Sequence, residues 1–235
     1  MKEKILEKAK NDLPLYFGDF KEFWDESINN IGDDDLYEAY RATLVFKNWK
    51  YNFHSIEFKT YDQILDEIYE DINSSFFLAI QGLYRSAHMH MRSSIELSLQ
   101  LVYFIHHPIE FEKWKNGDFV IKHSDLCQYM VDHPVFETDI QPLITNITKN
   151  WKHFSKHIHG ESPIFFQSEK NARKTNSFTE KDFGIWKSNF FRNIYQINKL
   201  LCLFFKKEIN RFPENPRNLV LALLKEEDLG LIFYE

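Results

Sequence analysis

The chain has 235 residues, 43% hydrophobic and 17% aromatic, which excludes disorder over most of its length because such a chain buries enough apolar surface to offset the entropy of ordering. Its net charge of -6 argues against a general nucleic-acid coat, which would bind mainly by neutralising phosphates, but leaves a local basic pocket open. With only 7 Gly and 7 Pro, long helices are favoured over short strands. We therefore predict an all-α protein built as an antiparallel helical bundle.

The two cysteines and the apolar runs indicate the cellular compartment. Cys127 and Cys202 are far apart and in no metal-type or redox-type spacing, which predicts two free thiols in a reducing environment. The N-terminal stretch is charged and lacks the apolar run of a signal peptide, and the longest apolar runs are shorter than the roughly 18 residues of a membrane span. We expect a cytoplasmic protein with no membrane association and no cofactor.

The first 59 residues predict an N-terminal helical extension. Residues 2–12 and 19–31 have the pattern of two short amphipathic helices, the second ended by Gly32. The stretch DDDLYEAYRATLVFKNW then begins with acidic side chains, which favour a helix N-terminus, and continues with helical apolar spacing. It predicts a third helix with one buried stripe.

Residues 60–212 predict the bundle itself. Helical spacing runs from Thr60, a predicted N-cap, to His107 without a proline. A single helix of that length would extend about 70 Å, so we predict a break near residues 73–75 or at Gly82. Residues 160–177 read as a polar connector, and residues 213–235 as a short helix from Arg217 and a tail. The remaining predicted helices run from Pro108 to Gly117, from Ser124 to Asp132, from Thr138 to His159, and from Thr179 to Phe212.

Within this bundle, the stretch RSAHMHMRSSIELSLQ places unusual polar side chains on an otherwise apolar helix. On a helical wheel four of them, together with Gln81 just before the stretch, share a line about 80° wide. Arg92 and Glu96, four residues apart, either pair with each other and tie two helices together, or line a cleft in which the arginine binds a phosphate and the glutamate orients it. Both interpretations stay open. The five residues of this polar stripe are Gln81, Arg85, His88, Arg92 and Glu96.

A second motif, NWKHFSKHIHG, ends a later helix. His153 and His157 lie one turn apart, and His159 lies beside the glycine that ends the helix. A histidine here can supply a proton at neutral pH, because a helix C-terminus favours its charged form. Metal binding through His153 and His157 needs a third ligand, which the sequence does not nominate, so we predict no metal site. A purely structural histidine cluster is the alternative.

These segments together carry a resemblance. The order of GLYRSAHMHMRSSIEL after a long helix, then a short WKNG segment, then a helix ending in SKHIHG resembles the HEPN-like helical proteins of bacterial abortive-infection and toxin-antitoxin loci. The similarity covers roughly residues 60–205. It implies an antiparallel bundle, frequent homodimers and, in active members, a metal-independent RNA cleavage site built from arginine and histidine.

The family motif is an arginine followed four to six residues later by a histidine. Arg85 and His90 have this spacing, but five residues of helix separate them by about 140° around the axis. The late SKHIHG helix has no arginine ahead of its histidines. The resemblance therefore implies either an RNA endonuclease or a catalytically silent module that binds a cognate partner protein or a nucleotide. The candidate catalytic residues are Arg92, Glu96, His157 and His159, and the candidate substrate-binding residues are Arg85 and His88.

Overall fold

The computed structural model describes residues 2–56, 58–159, 161–162, 165 and 178–233, and these residues confirm the all-α prediction. They form no strand, and none of their helices has the length and apolar character needed to cross a membrane. Within the described ranges, the short 3-10 helices Lys59–Tyr61 and Ile209–Arg211 accompany the α-helices. The α-helices are α1 (Lys2–Asn30), α2 (Asp33–Ser55), α3 (Asp62–Ile80), α4 (Tyr84–Ile105), α5 (Pro108–Lys115), α6 (His123–Asp132), α7 (Gln141–His159), α8 (Glu180–Phe204), α9 (Glu214–Leu221) and α10 (Glu226–Phe233).

A glycine turn separates α3 from α4, at one of the two predicted positions. Gly82 has φ 65°, a conformation that is strained for a residue with a Cβ. Its N–H donates to the carbonyl of Ala79, and the N–H of Leu83 donates to Leu78, so orphan carbonyls at the end of α3 find donors. Because the turn is so short, α3 and α4 run antiparallel and contact each other along their length.

The aromatic core, which we define as Trp49, Phe53, Phe205 and Phe212, joins α2 to the end of α8 and the segment after it. All four side chains are at most 3% exposed, and their rings meet at centroid distances of 4.8 to 6.0 Å. Burial of each such ring stabilises the fold by about 1.5–3 kcal/mol. The helix α2, from the predicted N-terminal extension, thus shares its apolar face with α8.

The helix α4 lies at the centre of the bundle, in contact with α3, α6, α7 and α8. Its small residues allow close approach: Ser94 is fully buried and accepts a hydrogen bond of 3.0 Å from Nδ2 of Asn193 on α8. The polar stripe lies on another face of α4, which contacts α7. This central position brings the two sequence motifs against each other.

Several predicted boundaries are confirmed. Pro108 begins α5 in the first helical turn, where a missing N–H costs nothing, and Gly117, with φ 79°, follows its end. Thr179 is the N-cap of α8, since its hydroxyl oxygen accepts a 3.0 Å hydrogen bond from the N–H of Asp182. Cys127 and Cys202 are free thiols, as predicted.

Other boundaries were wrong. The helix α1 is continuous through Pro14, where two short helices were predicted, although a proline inside a helix removes a backbone hydrogen bond and crowds the preceding turn. The helix α8 ends at Phe204 and not at Phe212, since the aromatic core is completed by a turn and a short 3-10 helix. Most of the predicted connector, including Gly160, lies outside the described residues.

The predicted starts of several helices also differ from the structure by a few residues. The 3-10 turn around Thr60 precedes α3, which begins at Asp62, and Ser124 lies inside the first turn of α6 with no capping role. The helix α7 begins at Gln141, where the carboxylate of Asp139 accepts a 3.0 Å hydrogen bond from its N–H. The helix predicted from Arg217 begins at Glu214. At α3, α6 and α9 no side chain accepts a hydrogen bond from the first turn, so these starts are not marked by a capping residue that the sequence could reveal.

Candidate functional site

The polar stripe of α4 meets the second motif on α7, as a shared site requires. Arg85, His88, Arg92 and Glu96 follow one another at spacings of three or four residues, which keeps them on one face of a helix. That face contacts the inward face of α7. Gln81 is the exception, because it caps the end of α3 and hydrogen-bonds back to Phe77.

Arg92 and Glu96 pair with each other and also bind α7. Nη2 of Arg92 lies 2.8 Å from Oε1 of Glu96, and the same oxygen accepts a 2.9 Å hydrogen bond from Nε1 of Trp151. Nε of Arg92 donates to Oγ of Ser155 at 3.0 Å, and the guanidinium lies 5.0 Å from the centre of the Trp151 ring. Both charged side chains remain partly exposed, at 24% and 30%. The pair ties α4 to α7 while keeping one edge in contact with solvent.

Arg85 binds the end of α7. Its Nε donates to the carbonyl of His157 at 2.7 Å, and Nη2 lies 3.4 Å from the carbonyl of Ile158. A cation at this position neutralises the partial negative charge of the helix C-terminus and satisfies carbonyls that have no partner within the helix. Arg85 therefore positions α7 directly.

His88, His153 and His157 form what we call the histidine cluster. One ligand-type nitrogen from each ring lies within 4.8 Å of the others. His88 is 2% exposed, and its ring stacks on that of His157 with centroids 4.2 Å apart and planes at 9°. The Phe165 ring also contacts His157, at 5.1 Å between centroids and 73° between planes. Sequence reasoning placed His88 on the polar stripe but did not bring it to the two histidines of α7.

The histidine cluster is held in its neutral form. Burial, followed by the neighbouring His88, His153 and Arg85, lowers the pKa of His157 to about 3. Burial also lowers the pKa of His88 to about 4, although a hydrogen bond to the carbonyl of Tyr84 opposes this. The expectation that the end of α7 favours a charged imidazole is thus wrong for His157, because desolvation outweighs the helix dipole.

His123 is a further member of the interface that the motifs did not reveal. Its ring stacks on Trp151 at 4.1 Å between centroids and 6° between planes, and Nε2 lies 3.3 Å from Sγ of Cys127. Burial, then Arg92 and Lys152, lowers its pKa to about 4. The only sequence signal was its i, i+4 spacing to Cys127, which is common on helix surfaces and points to no particular chemistry.

The outer face of α7 is basic. The helix contains no Asp or Glu, and Lys149, Lys152 and His159 are exposed on it. Arg192 of α8 is exposed nearby and, together with Lys156, depresses the pKa of His153 after the larger effect of burial. Lys149 and Lys152 also border an open groove of about 360 Å³ between α6 and α7, whose walls include Thr145, Thr148 and Gln128. We call the surface formed by Lys149, Lys152, Lys156, His159 and Arg192 the basic face.

The candidate residues therefore occupy two different settings. Arg92, Glu96 and His159 reach solvent, whereas His88 is buried and the ring nitrogens of His157 are buried as well. Comparison with protein-family models, with curated proteins and with solved structures finds no match for this chain.

Proposed function

We propose that this chain is a HEPN-like protein of bacterial anti-phage defence or toxin-antitoxin type, and that it binds RNA along the basic face and cleaves it without a metal ion. The observation that carries the proposal is the charge of α7: every ionisable side chain on this helix is Lys or His, in a chain of net charge -6. Such a local concentration of positive charge attracts phosphates, whereas the remaining acidic surface repels them.

The chemistry would use the solvent-reaching residues. His159 would take the proton from a ribose 2′-OH, and that oxygen would attack the neighbouring phosphorus. The bond from phosphorus to the 5′ oxygen breaks, the leaving oxygen takes a proton from water, and a 2′,3′-cyclic phosphate remains. Arg92 would stabilise the charge that develops on the phosphate, with Glu96 and Ser155 holding its guanidinium in position. His157 would take no direct part in the reaction, since its ring nitrogens do not reach solvent.

Binding is tested by charge reversal. Lys149→Glu with Lys152→Glu should weaken the affinity for a labelled single-stranded RNA by about tenfold to a hundredfold, and should lower the slope of log affinity against log salt by about 1.4, because two phosphate contacts are lost. The matched control is Lys47→Glu with Lys113→Glu, which changes the charge equally at exposed sites of α2 and α5. Equal losses in both double variants would mean that the basic face is not the binding surface.

Cleavage is tested separately from binding. The wild-type protein should cut RNA in the presence of a chelator, and Arg92→Ala or His159→Ala should abolish cleavage while RNA binding persists. Equal cleavage by the wild type and by both variants would remove the catalytic proposal. Cleavage that stops on chelation and returns only with added Mg²⁺ would contradict its metal independence.

The second candidate is a catalytically silent HEPN-like module that binds a cognate partner protein or a nucleotide. It is favoured by the contacts of Arg92 and Glu96, which are largely satisfied by each other, by Trp151 and by Ser155. RNA binding without cleavage, together with a stoichiometric partner co-purifying from the native locus, would support it. A homodimer belongs to both versions of the proposal and is checked by light scattering.

A further inference from the structure

We propose that His88, His153 and His157 bind one divalent transition-metal ion of the kind that prefers imidazole ligands, such as Zn²⁺. The three rings bring one ligand-type nitrogen each to within 4.8 Å of one another, on two helices that are already in contact. His153 and His157 are four residues apart on α7, the spacing at which two imidazoles on one helix face chelate a metal. His88 on α4 supplies the third ligand. The site does not depend on RNA binding or cleavage.

The tautomer of His88 suits a ligand. Nδ1 lies 2.6 Å from the carbonyl oxygen of Tyr84, which can only accept, so Nδ1 carries the proton and Nε2 carries the lone pair. A hydrogen bond from the second ring nitrogen to a backbone carbonyl is the usual way in which a metal-binding histidine is oriented. Nε2 now accepts only a 3.2 Å contact from the amide of Asn189, which a metal ion would replace.

His157 provides the strongest observation. Both of its ring nitrogens are buried, and neither has a hydrogen-bond partner among the described residues. Leaving a buried polar group unpaired costs about 1–3 kcal/mol, so a buried imidazole normally has at least one partner. A metal ion bound to one of these nitrogens would remove that cost for the nitrogen that it binds. A ring retained only for packing could be replaced by an apolar side chain without this penalty.

The rings need a small adjustment to chelate. Two imidazole nitrogens on a tetrahedral Zn²⁺, each bound at about 2.0–2.1 Å, lie about 3.3 Å apart. The parallel rings of His88 and His157 cannot both direct a lone pair at one ion, so chelation would require the His157 ring to rotate out of this stack. Three protein ligands leave a fourth position for water or an anion.

The electrostatics of the cluster favour metal binding in one respect and weaken it in another. All three imidazoles have a lowered pKa, so binding at pH 7 displaces no proton from a charged ring. Arg85, Lys156 and Arg192 add positive charge around the site, which weakens cation binding and favours an anionic fourth ligand such as hydroxide or phosphate. The bound ion would clamp α7, the helix of the basic face, onto α4.

The experiment uses the full chain with Zn²⁺ and Co²⁺ as probes. Titration calorimetry after removal of bound metal should give one Zn²⁺ per chain, and Co²⁺ should give the visible absorption bands of a tetrahedral complex. Saturation at a hundredfold excess over the dissociation constant should raise Tm by about 5–10 °C. His153→Gln should weaken binding by at least about tenfold, because one of three ligands is lost.

The control is His90→Gln, which removes a histidine two residues from His88 on the same helix but outside the cluster, where it pairs with Asp71. It should bind the metal as the wild type does. His153 is only half-buried, so its variant folds even if one at His88 does not. Absence of stoichiometric binding by the folded wild type, or equal affinity in His153→Gln and the wild type, would overturn the proposal.

Discussion

Two buried polar sites in this bundle use their hydrogen-bonding groups differently. Beside the aromatic core, Asn198 accepts a 2.8 Å hydrogen bond from Nε1 of Trp49 and donates a 2.6 Å hydrogen bond to the carbonyl of Val220. In the histidine cluster, His157 is buried with both ring nitrogens lacking such partners among the described residues. A polar group that is fully paired fixes the packing of its neighbours, whereas buried lone pairs are available to a ligand.

Removal of the paired tryptophan should have the largest effect. Trp49→Ala should lower the free energy of unfolding by about 3–5 kcal/mol, since it leaves a cavity and takes the donor away from Asn198. Urea denaturation measures the loss. Tyr51→Ala, on the exposed side of the same helix, should change stability by less than about 1 kcal/mol. A loss in Trp49→Ala no greater than in the control would break the comparison.

An unpaired buried amide in the same helix provides a second test of the comparison between paired and unpaired polar groups. Both side-chain atoms of Asn52 are buried without a hydrogen-bond partner among the described residues. Asn52→Leu, of similar volume, should therefore raise the free energy of unfolding by about 1–3 kcal/mol. The control Asn218→Leu, at an exposed position of α9, should stay within about 0.5 kcal/mol of the wild type. Destabilisation of Asn52→Leu would show that the amide is satisfied.

The titration of His123 alone should give the smallest effect. The pKa of His123 falls from 6.5 to about 4 on folding, so the unfolded state binds the proton more tightly and stability decreases as pH falls from above 6.5 towards 4. After allowance for solvent screening, this amounts to on the order of 1 kcal/mol. His123→Phe keeps the stack on Trp151 and should lose less Tm between pH 7.5 and pH 5 than the wild type. An equal loss of Tm in His123→Phe and in the wild type would contradict the lowered pKa of His123 in the folded protein.

Local sequence signals predicted much of the fold. The scarcity of Gly and Pro predicted the all-α class, and Gly82, Pro108 and Thr179 marked real boundaries because each has a specific backbone or capping role. The continuity of α1 through Pro14 and the end of α8 at Phe204 were not predictable, since both depend on how the chain balances one lost hydrogen bond or completes a core.

The sequence predicted which site residues lie together on each helix, but not the contacts between the two helices. Helical spacing placed Arg92 with Glu96 and His153 with His157, because residues four apart share a face. It could not say that α4 faces α7, and so it could not add His88 to the other two histidines or Trp151 to the arginine pair. Contacts between helices depend on the packing of the whole bundle, which the period of one helix does not contain.

The most direct test of the basic face as the RNA-binding surface is lysine footprinting of the full chain, read by mass spectrometry. Bound RNA should protect Lys149, Lys152 and Lys156 from acylation, while Lys47 and Lys113 on α2 and α5 stay as reactive as in the free protein. If RNA at a saturating concentration left the reactivity of all five lysines as it is in the free protein, the basic face would not be the RNA-binding surface.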